Sequence, residues 1–339
     1  MSKSLIFSDL HLHPWTYGSH VTDDGLNSRL AAQSKAADEM IEDAVNSGVT
    51  TAYFCGDLFH THGNVPTQAL KVACDMFTKI RNQGIAIRAM PGNHDQYDRQ
   101  GSIHGLQFLP ESERIGSWVD EGQRVLALPY TDSDEVLKRF LGDAAVAGES
   151  TLLMLHQGVS GVPLSSGYVL DERLTSDMIP DNCRAFTGHY HFFRAVTPKL
   201  TVVGNLTPLG WGDVDQEKGW LIWDRETGAL EQKIQTASPE FVTHSGGDTT
   251  QIVGRFVRHS TAVHYSEQPA IREKLIKEGA LSVEFPTQKV ERGVDNIRTG
   301  EGITVQHIVE EFDKKTEGRR VDVGRELRAG TYATPEWRK

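Results

Sequence analysis

The most constraining feature of this chain is an alternation of strands and helices over roughly its first 95 residues. Short apolar runs, typical of buried strands, alternate with segments whose apolar residues recur at the helical period. The strands are expected at 4–7, 51–55 and 85–90, and the helices at 30–47 and from residue 66 onward. This alternation predicts parallel strands joined by right-handed helical crossovers, and therefore an α/β fold.

These strands and two later ones, at 151–155 and 183–186, end in side chains that can bind metal or transfer protons. The residues are Asp9, His11, Asp57, Asn93, His94, His156, His189 and His191. Ligands of open α/β sheets bind at the carboxyl ends of strands, and residues two apart along a strand point the same way. We therefore expect these side chains to converge at the edge of one sheet.

All of these residues except His94 are candidate metal ligands, which is too many for one tetrahedral ion. They suit two ions about 3.5–4 Å apart that share Asp57 as a bridge. The mixture of nitrogen and oxygen ligands suits Mn²⁺, Fe²⁺ or Zn²⁺, with Mg²⁺ also possible, better than a thiolate-binding metal. Taken singly, Gly-Asp and Gly-Asn-His-Asp are ordinary turn sequences. The joint pattern is what predicts a two-metal site.

Length and composition describe an ordinary globular protein. The 339 residues are enough for one large domain and a smaller one, and no apolar stretch approaches a membrane span. Three scattered cysteines favour a reducing cytoplasm, and the N-terminus does not resemble a cleaved signal. The net charge of -11 argues against a surface coated with nucleic-acid-binding residues, although residues 314–339 are locally basic.

The chain is expected to divide into three parts. Residues 1–236 form the domain that carries the two-metal site, in which 200–203 and 219–223 are expected to pair as antiparallel strands. A shift to Ser, Thr, Gly and Pro at 237–247 predicts a linker. Residues 248–300 then form a small unit with a strand at 252–257, a helix at 269–277 and a strand at 281–285. Residues 301–339 contain an amphipathic helix at 304–315 and a basic tail.

The order of the motifs resembles that of the calcineurin-like metallophosphoesterases. Their five motifs correspond to Asp9-x-His11, Gly56-Asp57, Gly92-Asn93-His94-Asp95, His156 and Gly188-His189-x-His191. The stretch Gly56-Asp57-Leu58-Phe59-His60, followed by a proline and a helix, is similar to the SbcD-type DNA repair nucleases, which are bacterial or phage recombination nuclease subunits. The resemblance implies a four-layer α/β/β/α sandwich, the phosphoesterase domain, with a small C-terminal α+β capping domain.

The resemblance also implies roles for the site residues. Asp9, His11, Asp57 and His191 would hold one ion, and Asp57, Asn93, His156 and His189 the other. A hydroxide between the ions would attack phosphorus. His94, oriented by Asp95, would protonate the leaving oxygen, and His60 would contact the phosphate.

Three interpretations of the function remain at this point. The first is a Mn²⁺-dependent DNA exonuclease and endonuclease that acts as a homodimer with an SbcC-type coiled-coil ATPase. The apolar face of helix 304–315 would then dock on the ATPase, although it could equally pack on the chain's own core. The second is a phosphoesterase of small phosphodiesters or phosphoproteins, which would share every metal ligand. The third, a non-catalytic scaffold, predicts missing ligands or a lost His94, yet all of these residues are present.

Overall fold

A computed structural model describes residues 3–98, 101–114, 116–146, 150–164 and 167–286. Within these ranges the helices are Ser28–Asn46 (α1), Thr67–Asn82 (α2), Asp134–Val146 (α3) and Gln268–Lys277 (α4). The strands are Lys3–Phe7 (β1), Val49–Phe54 (β2), Ala86–Ala89 (β3), Ser117–Asp120 (β4), Gln123–Leu128 (β5), Thr151–Leu155 (β6), Cys183–Thr187 (β7), Arg194–Thr197 (β8), Leu200–Val202 (β9), Gly219–Asp224 (β10), Leu230–Ile234 (β11), Phe241–His244 (β12), Phe256–His259 (β13) and Ser282–Glu284 (β14). None of the described helices combines the length and the apolar character needed to cross a membrane.

The first sheet has five strands in the order β11-β10-β1-β2-β3. Strands β1, β2 and β3 are parallel, as the alternating pattern predicts. Helices α1 and α2 cover one face of this sheet through buried residues such as Met40 and Phe77, which pack with Leu5 and Phe54. Helix α1 begins after Asn27, whose side chain accepts hydrogen bonds from the backbone N–H groups of Arg29 and Leu30.

The second sheet has six strands in the order β4-β5-β6-β7-β9-β8. Its central strands are parallel, and α3 packs on its outer face through Leu137 and Leu141. The two sheets face each other across a buried apolar layer that includes Tyr53, Met154 and Phe186. Helices therefore lie outside two stacked sheets, and the predicted α/β/β/α sandwich is confirmed.

Strands β9 and β10 belong to different sheets, so the predicted antiparallel pairing of 200–203 with 219–223 is wrong. Strand β9 pairs with β7 and β8, whereas β10 pairs with β1 and β11. Both segments are equally apolar, and apolar pattern alone does not specify which neighbour a strand pairs with. The segment 203–218 consequently crosses from one sheet to the other.

A third sheet, β12-β13-β14, is parallel throughout and packs on α4 through a small core that includes Val257, Leu275 and Val283. Two sequence-based expectations are wrong here. The predicted linker at 237–247 contains strand β12, which pairs with β13 and buries Phe241. The strand expected at 252–257 begins only at Phe256, after a 3₁₀ turn at Thr250–Ile252. The predicted helix at 304–315 and the basic tail lie outside the described residues.

Candidate metal centre

The candidate ligands come from both large sheets. The expectation that they converge at the edge of a single sheet is therefore wrong. Asp9, His11, Asp57 and Asn93 follow strands of the first sheet, whereas His156, His189 and His191 follow β6 and β7 of the second. The chain after β1 runs beside the chain after β2, with Asp9 N–H donating to the Gly56 carbonyl at 2.9 Å and His11 N–H donating to the Asp57 carbonyl at 3.0 Å. The site therefore lies where the ends of the two sheets meet.

Four ligand positions have a left-handed backbone, which is uncommon for residues other than glycine. The φ angles are 52° at Asp9, 45° at His11, 60° at Asp57 and 83° at His189. Residues in this conformation cost on the order of 1–3 kcal/mol each and cluster at functional sites. The turns after three strands thus carry strain that aims these side chains into one space.

Two glycines permit the close approach of these turns. A Cβ atom on Gly92 would lie 2.2 Å from Oδ1 of Asp57, and one on Gly188 would lie 2.2 Å from Oγ of Ser8. Both distances are far below van der Waals contact, so any larger residue would push the turns apart. The Gly-Asn-His-Asp and Gly-His-x-His motifs therefore need their glycines for packing.

The second-sheet ligands meet Asn93 in an arrangement that suits a cation. Nδ1 of His156 lies 2.6 Å from the Cys55 carbonyl oxygen and donates to it, so Nε2 of the neutral ring carries the lone pair. That Nε2 lies 3.1 Å from Oδ1 of Asn93, which lies 3.0 Å from Nδ1 of His189. Nε2 of His156 and Oδ1 of Asn93 are both acceptors, so a proton or a metal ion is needed between them.

The remaining ligands converge in the same way around Asp57. Nε2 of His11 lies 3.1 Å from Nε2 of His191 and 3.4 Å from Oδ2 of Asp57. The same Oδ2 lies 3.3 Å from Nε2 of His156, while Oδ1 accepts a 2.8 Å hydrogen bond from the His94 backbone. One carboxylate oxygen thus faces both ligand groups, as a bridging ligand would. Separate groups of three side chains also bring metal-ligating atoms together, including Asp9, His11 and His191.

The metal-free site attracts protons. Burial raises the pKa of Asp9 to about 8, against the opposing effect of His156. Burial alone would lower the pKa of His156, but the Asp57 carboxylate raises it to about 9. Burial lowers the pKa of His189 to about 4, which keeps this ring neutral and able to bind a metal. Protons on Asp9 and His156 therefore neutralise a centre that a metal would otherwise occupy.

The residues expected to act on the phosphate lie beside this centre, but one of them has a different role from that expected. Asp95 does not orient His94 through its carboxylate, which instead accepts backbone hydrogen bonds of 3.1 Å from Leu58, 3.0 Å from Phe59 and 3.0 Å from Gly92. The ring of His94 is held by the His60 carbonyl, 2.6 Å from Nδ1. Asp95 thus ties the turns after β2 and β3 together.

A cleft of about 560 Å³ opens over the centre. His11, His60, His94, His189 and His191 form its polar floor. Its walls are largely apolar and aromatic, formed by Trp15, Leu164, Tyr190, Phe192 and Leu209. The cleft therefore leaves the candidate ligand side chains open to a substrate and places an apolar surface beside them.

Several contributors to the site were not found from the sequence. The exposed His62 stacks on His94 with ring centroids 4.6 Å apart, although it belongs to none of the sequence motifs. The Cys55 carbonyl that orients His156 is a backbone group and has no residue-type signal. Lys218 is buried and donates to the backbone carbonyl of His191, but it too belongs to none of the sequence motifs.

Comparison with known proteins agrees with this geometry. A profile described as calcineurin-like phosphoesterase matches residues 2–226, well over half of the chain. The DNA double-strand break repair protein Mre11 of Saccharolobus solfataricus is 25% identical over 132 residues, covering 37% of this chain and 34% of that protein. Mre11 of Methanopyrus kandleri is 30% identical over 91 residues, covering 27% and 19%. The matched part thus spans about a third or less of these relatives.

A solved structure from Thermus thermophilus is also similar, with 13% identity and a TM-score of 0.42. The matched region covers 69% of this chain and 98% of the Thermus thermophilus chain.

Proposed function

Because the chain belongs to the calcineurin-like phosphoesterase family, we propose that it is a Mn²⁺-dependent DNA exonuclease and endonuclease of the SbcD type. The observation that carries the proposal is the convergence of seven candidate ligand side chains, Asp57 among them, at one centre, with His94 beside them in an open cleft. The enzyme class, a metal-dependent phosphoesterase, follows from the family. The DNA substrate, the choice of Mn²⁺ and the partners belong to the proposal.

The side chains fit two divalent ions. Asp9, His11 and His191 would hold one of them, and Asn93, His156 and His189 the other, with Asp57 shared between them. When bound, such ions supply Lewis acidity, stabilise the charge that develops on the phosphoryl oxygens and make water a stronger nucleophile. Asp9 accepts the His189 backbone N–H at 3.1 Å, which links the two ligand groups.

His94 is the proposed acid. Its Nδ1 donates to the His60 carbonyl, so Nε2 is the nitrogen that holds a proton for the leaving oxygen. The ring of His60 borders the same cleft, and burial lowers its pKa to about 4. His60 therefore acts as a neutral group that positions the phosphate.

A DNA substrate is supported by the relatives and by the cleft. Both curated relatives carry the name DNA double-strand break repair protein. Aromatic side chains beside the metal centre offer faces on which an unpaired base can stack. The acidic net charge of -11 disfavours broad contact with DNA, and the bound ions would offset part of it locally.

The proposal includes partners and a place of action. By analogy with SbcD-type nucleases, the chain would form a homodimer and work with an SbcC-type coiled-coil ATPase. The bacterial cytoplasm, or that of the host if the chain is phage-encoded, is the expected compartment. The helix at 304–315 that would bind the ATPase lies outside the described residues.

The test is digestion of end-labelled duplex and single-stranded DNA by the purified chain with Mn²⁺, beside the same reaction with His94→Ala. DNA shortened by the wild type but not by the variant is the expected result. Chelation with EDTA should stop the reaction, and added Mn²⁺ should restore it.

The alternative is a phosphoesterase of small phosphodiesters or phosphoproteins, since those enzymes share all the metal ligands. A cyclic dinucleotide, bis(p-nitrophenyl) phosphate and a phosphopeptide are therefore assayed beside the DNA. Cleavage of any of these with DNA left intact would overturn the nuclease proposal and leave the family assignment unchanged.

A further inference from the structure

We propose that Lys218 is a positioning residue that holds His191 in the geometry needed for metal binding. The proposal rests on the metal centre of the proposed function and concerns one residue outside the ligand set. The side chain of Lys218 is only 1% exposed. Its ammonium group donates to Oδ1 of Asp213 at 2.7 Å, to Oε1 of Gln216 at 3.0 Å and to the backbone carbonyl of His191.

Those contacts use the full donor capacity of an ammonium group. A buried ion pair adds little net stability compared with apolar side chains of similar volume. The pair of Lys218 with Asp213 is therefore poorly explained by stability alone. Its distinctive contact is the third one, because it reaches the peptide group of a candidate metal ligand whose Nε2 lies 3.1 Å from Nε2 of His11.

The position of Lys218 in the fold gives this contact its significance. Lys218 directly precedes β10 of the first sheet, where its own carbonyl accepts a 2.9 Å hydrogen bond from the Gln235 backbone. His191 follows β7 of the second sheet. The ligands come from both sheets, so a side chain anchored in one and bonded to a ligand-bearing turn of the other sets the spacing between the two halves of the site.

Asp213, which accepts a hydrogen bond from the Lys218 ammonium group, also contacts the wall of the cleft. Its Oδ2 accepts a 2.8 Å hydrogen bond from the Leu209 backbone, so the carboxylate fixes the turn that forms one wall of the cleft. Lys218 thereby joins the cleft wall to the turn that carries His191. Loss of the ammonium group should leave the cleft wall and the His191 turn unconnected, although every ligand side chain is still present.

The test is calorimetric titration of the metal-free full-length chain with MnCl₂, comparing wild type with Lys218→Met. Methionine fills a similar volume but donates no hydrogen bond. The wild type is expected to bind two ions, and the variant is expected to bind one of them roughly 10- to 100-fold more weakly, the usual effect of removing a group that orients a ligand. Hydrogen–deuterium exchange should also be faster at 188–194 in the metal-free variant.

Lys199→Met is the matched control. Lys199 also donates to a backbone carbonyl, of Ile179 at 2.9 Å, and to a carboxylate, of Asp181 at 2.8 Å, but it directly precedes β9 and does not line the cleft. Its Mn²⁺ affinities should stay within twofold of wild type. Unchanged affinities in a folded Lys218→Met would overturn the proposal.

Asp213→Asn covers the case in which Lys218→Met does not fold, as circular dichroism would reveal. This variant keeps the ammonium group but removes the charge that anchors it, so one Mn²⁺ affinity should fall by a smaller factor. If it does not change, the role of Lys218 is refuted. A wild type that takes up no Mn²⁺ would instead overturn the metal centre itself, and the Lys218 proposal with it.

Discussion

Nδ1 of His94 lies 2.6 Å from the backbone carbonyl oxygen of His60 and donates a hydrogen bond to it. The contact fixes the tautomer, so Nε2 is the nitrogen that can exchange a proton with a substrate. The ring is also packed edge-on against His11, with centroids 4.7 Å apart, and stacked by His62. The ring of His94, the proposed acid, is therefore oriented by its surroundings before any substrate arrives.

Replacement of His94 by Gln should lower kcat on DNA by roughly 10²–10⁴-fold, the usual contribution of a general acid. The loss should be much smaller on bis(p-nitrophenyl) phosphate, because p-nitrophenolate leaves without needing a proton. Steady-state kinetics on both substrates, with Mn²⁺ binding followed by calorimetry, would measure the difference.

His264→Ala is the control for this prediction, since His264 bonds Ser266 in the third-sheet unit, at a distance in sequence from every ligand. It should leave both rates unchanged. Equal losses on the two substrates in His94→Gln would argue that the residue steadies the phosphate and does not act as an acid.

Much of the site was predictable because its signals are local. An apolar run followed by Asp9, Asp57 or Asn93 marks a strand and its carboxyl end in the same few residues, and the parallel order of β1, β2 and β3 follows from the helices between them. The family resemblance supplied the four layers. The central strands were predictable because they are buried on both faces and therefore appear in the sequence as continuous apolar runs.

The remaining features depend on contacts through space. Strands β4 and β8 lie at sheet edges and are partly exposed, so they lack a clear apolar run. Composition placed a linker over β12, whose pairing with β13 is visible only in the fold. The Cys55 carbonyl orients His156, and Lys218 contacts a turn of another sheet. Neither contact leaves a periodic or compositional signal in the chain.

Replacement of Asp9 by Asn should stabilise the metal-free protein and weaken its response to metal. Burial raises the pKa of Asp9 to about 8, so ionising it at higher pH costs folding free energy, about 1.4 kcal/mol for each pH unit that separates the folded and unfolded pKa values. Asparagine keeps an oxygen to accept the His189 N–H. At pH 9, thermal unfolding should give a higher Tm for the variant than for wild type without metal, and Mn²⁺ should raise the wild-type Tm by more than it raises that of the variant, which has lost a ligand to one of the two ions. A variant that unfolds below metal-free wild type would contradict this account.

The metal-free wild type should lose stability as the pH rises from 6.5 to 8. The folded chain retains the Asp9 proton up to about pH 8, whereas the unfolded chain loses it near 3.8, so stability falls between these values. The pKa of His156 is raised to about 9, so its stabilising charge is present below 6.5 and is lost as the pH rises through 9. The two effects have the same sign in this window.

Bound Mn²⁺ should change that dependence, because it takes the place of the two protons. Thermal unfolding at pH 6.5 and 8, with and without saturating Mn²⁺, would test this: the increase in Tm caused by the metal should be larger at pH 8. Calorimetry in buffers of different ionisation enthalpy should show protons released on binding at pH 7. If the metal raised Tm equally at both pH values and no protons were released, Asp9 and His156 would not be protonated in the metal-free site, and the prediction would be wrong.

The aromatic wall of the cleft should distinguish nucleotides from simple esters. Phe192 borders the cleft, and its ring stacks on Tyr190 with centroids 5.5 Å apart. A base stacked on such a ring contributes about 1–3 kcal/mol. Phe192→Ala should therefore lower kcat/KM for a single-stranded oligonucleotide by roughly 10-fold, while kcat/KM for bis(p-nitrophenyl) phosphate, which has no base, stays within twofold. Tyr265→Ala, which removes a ring that is 76% exposed and does not line the cleft, should change neither value. If Phe192→Ala lowers both values equally, the ring supports the metal centre and does not contact the substrate base.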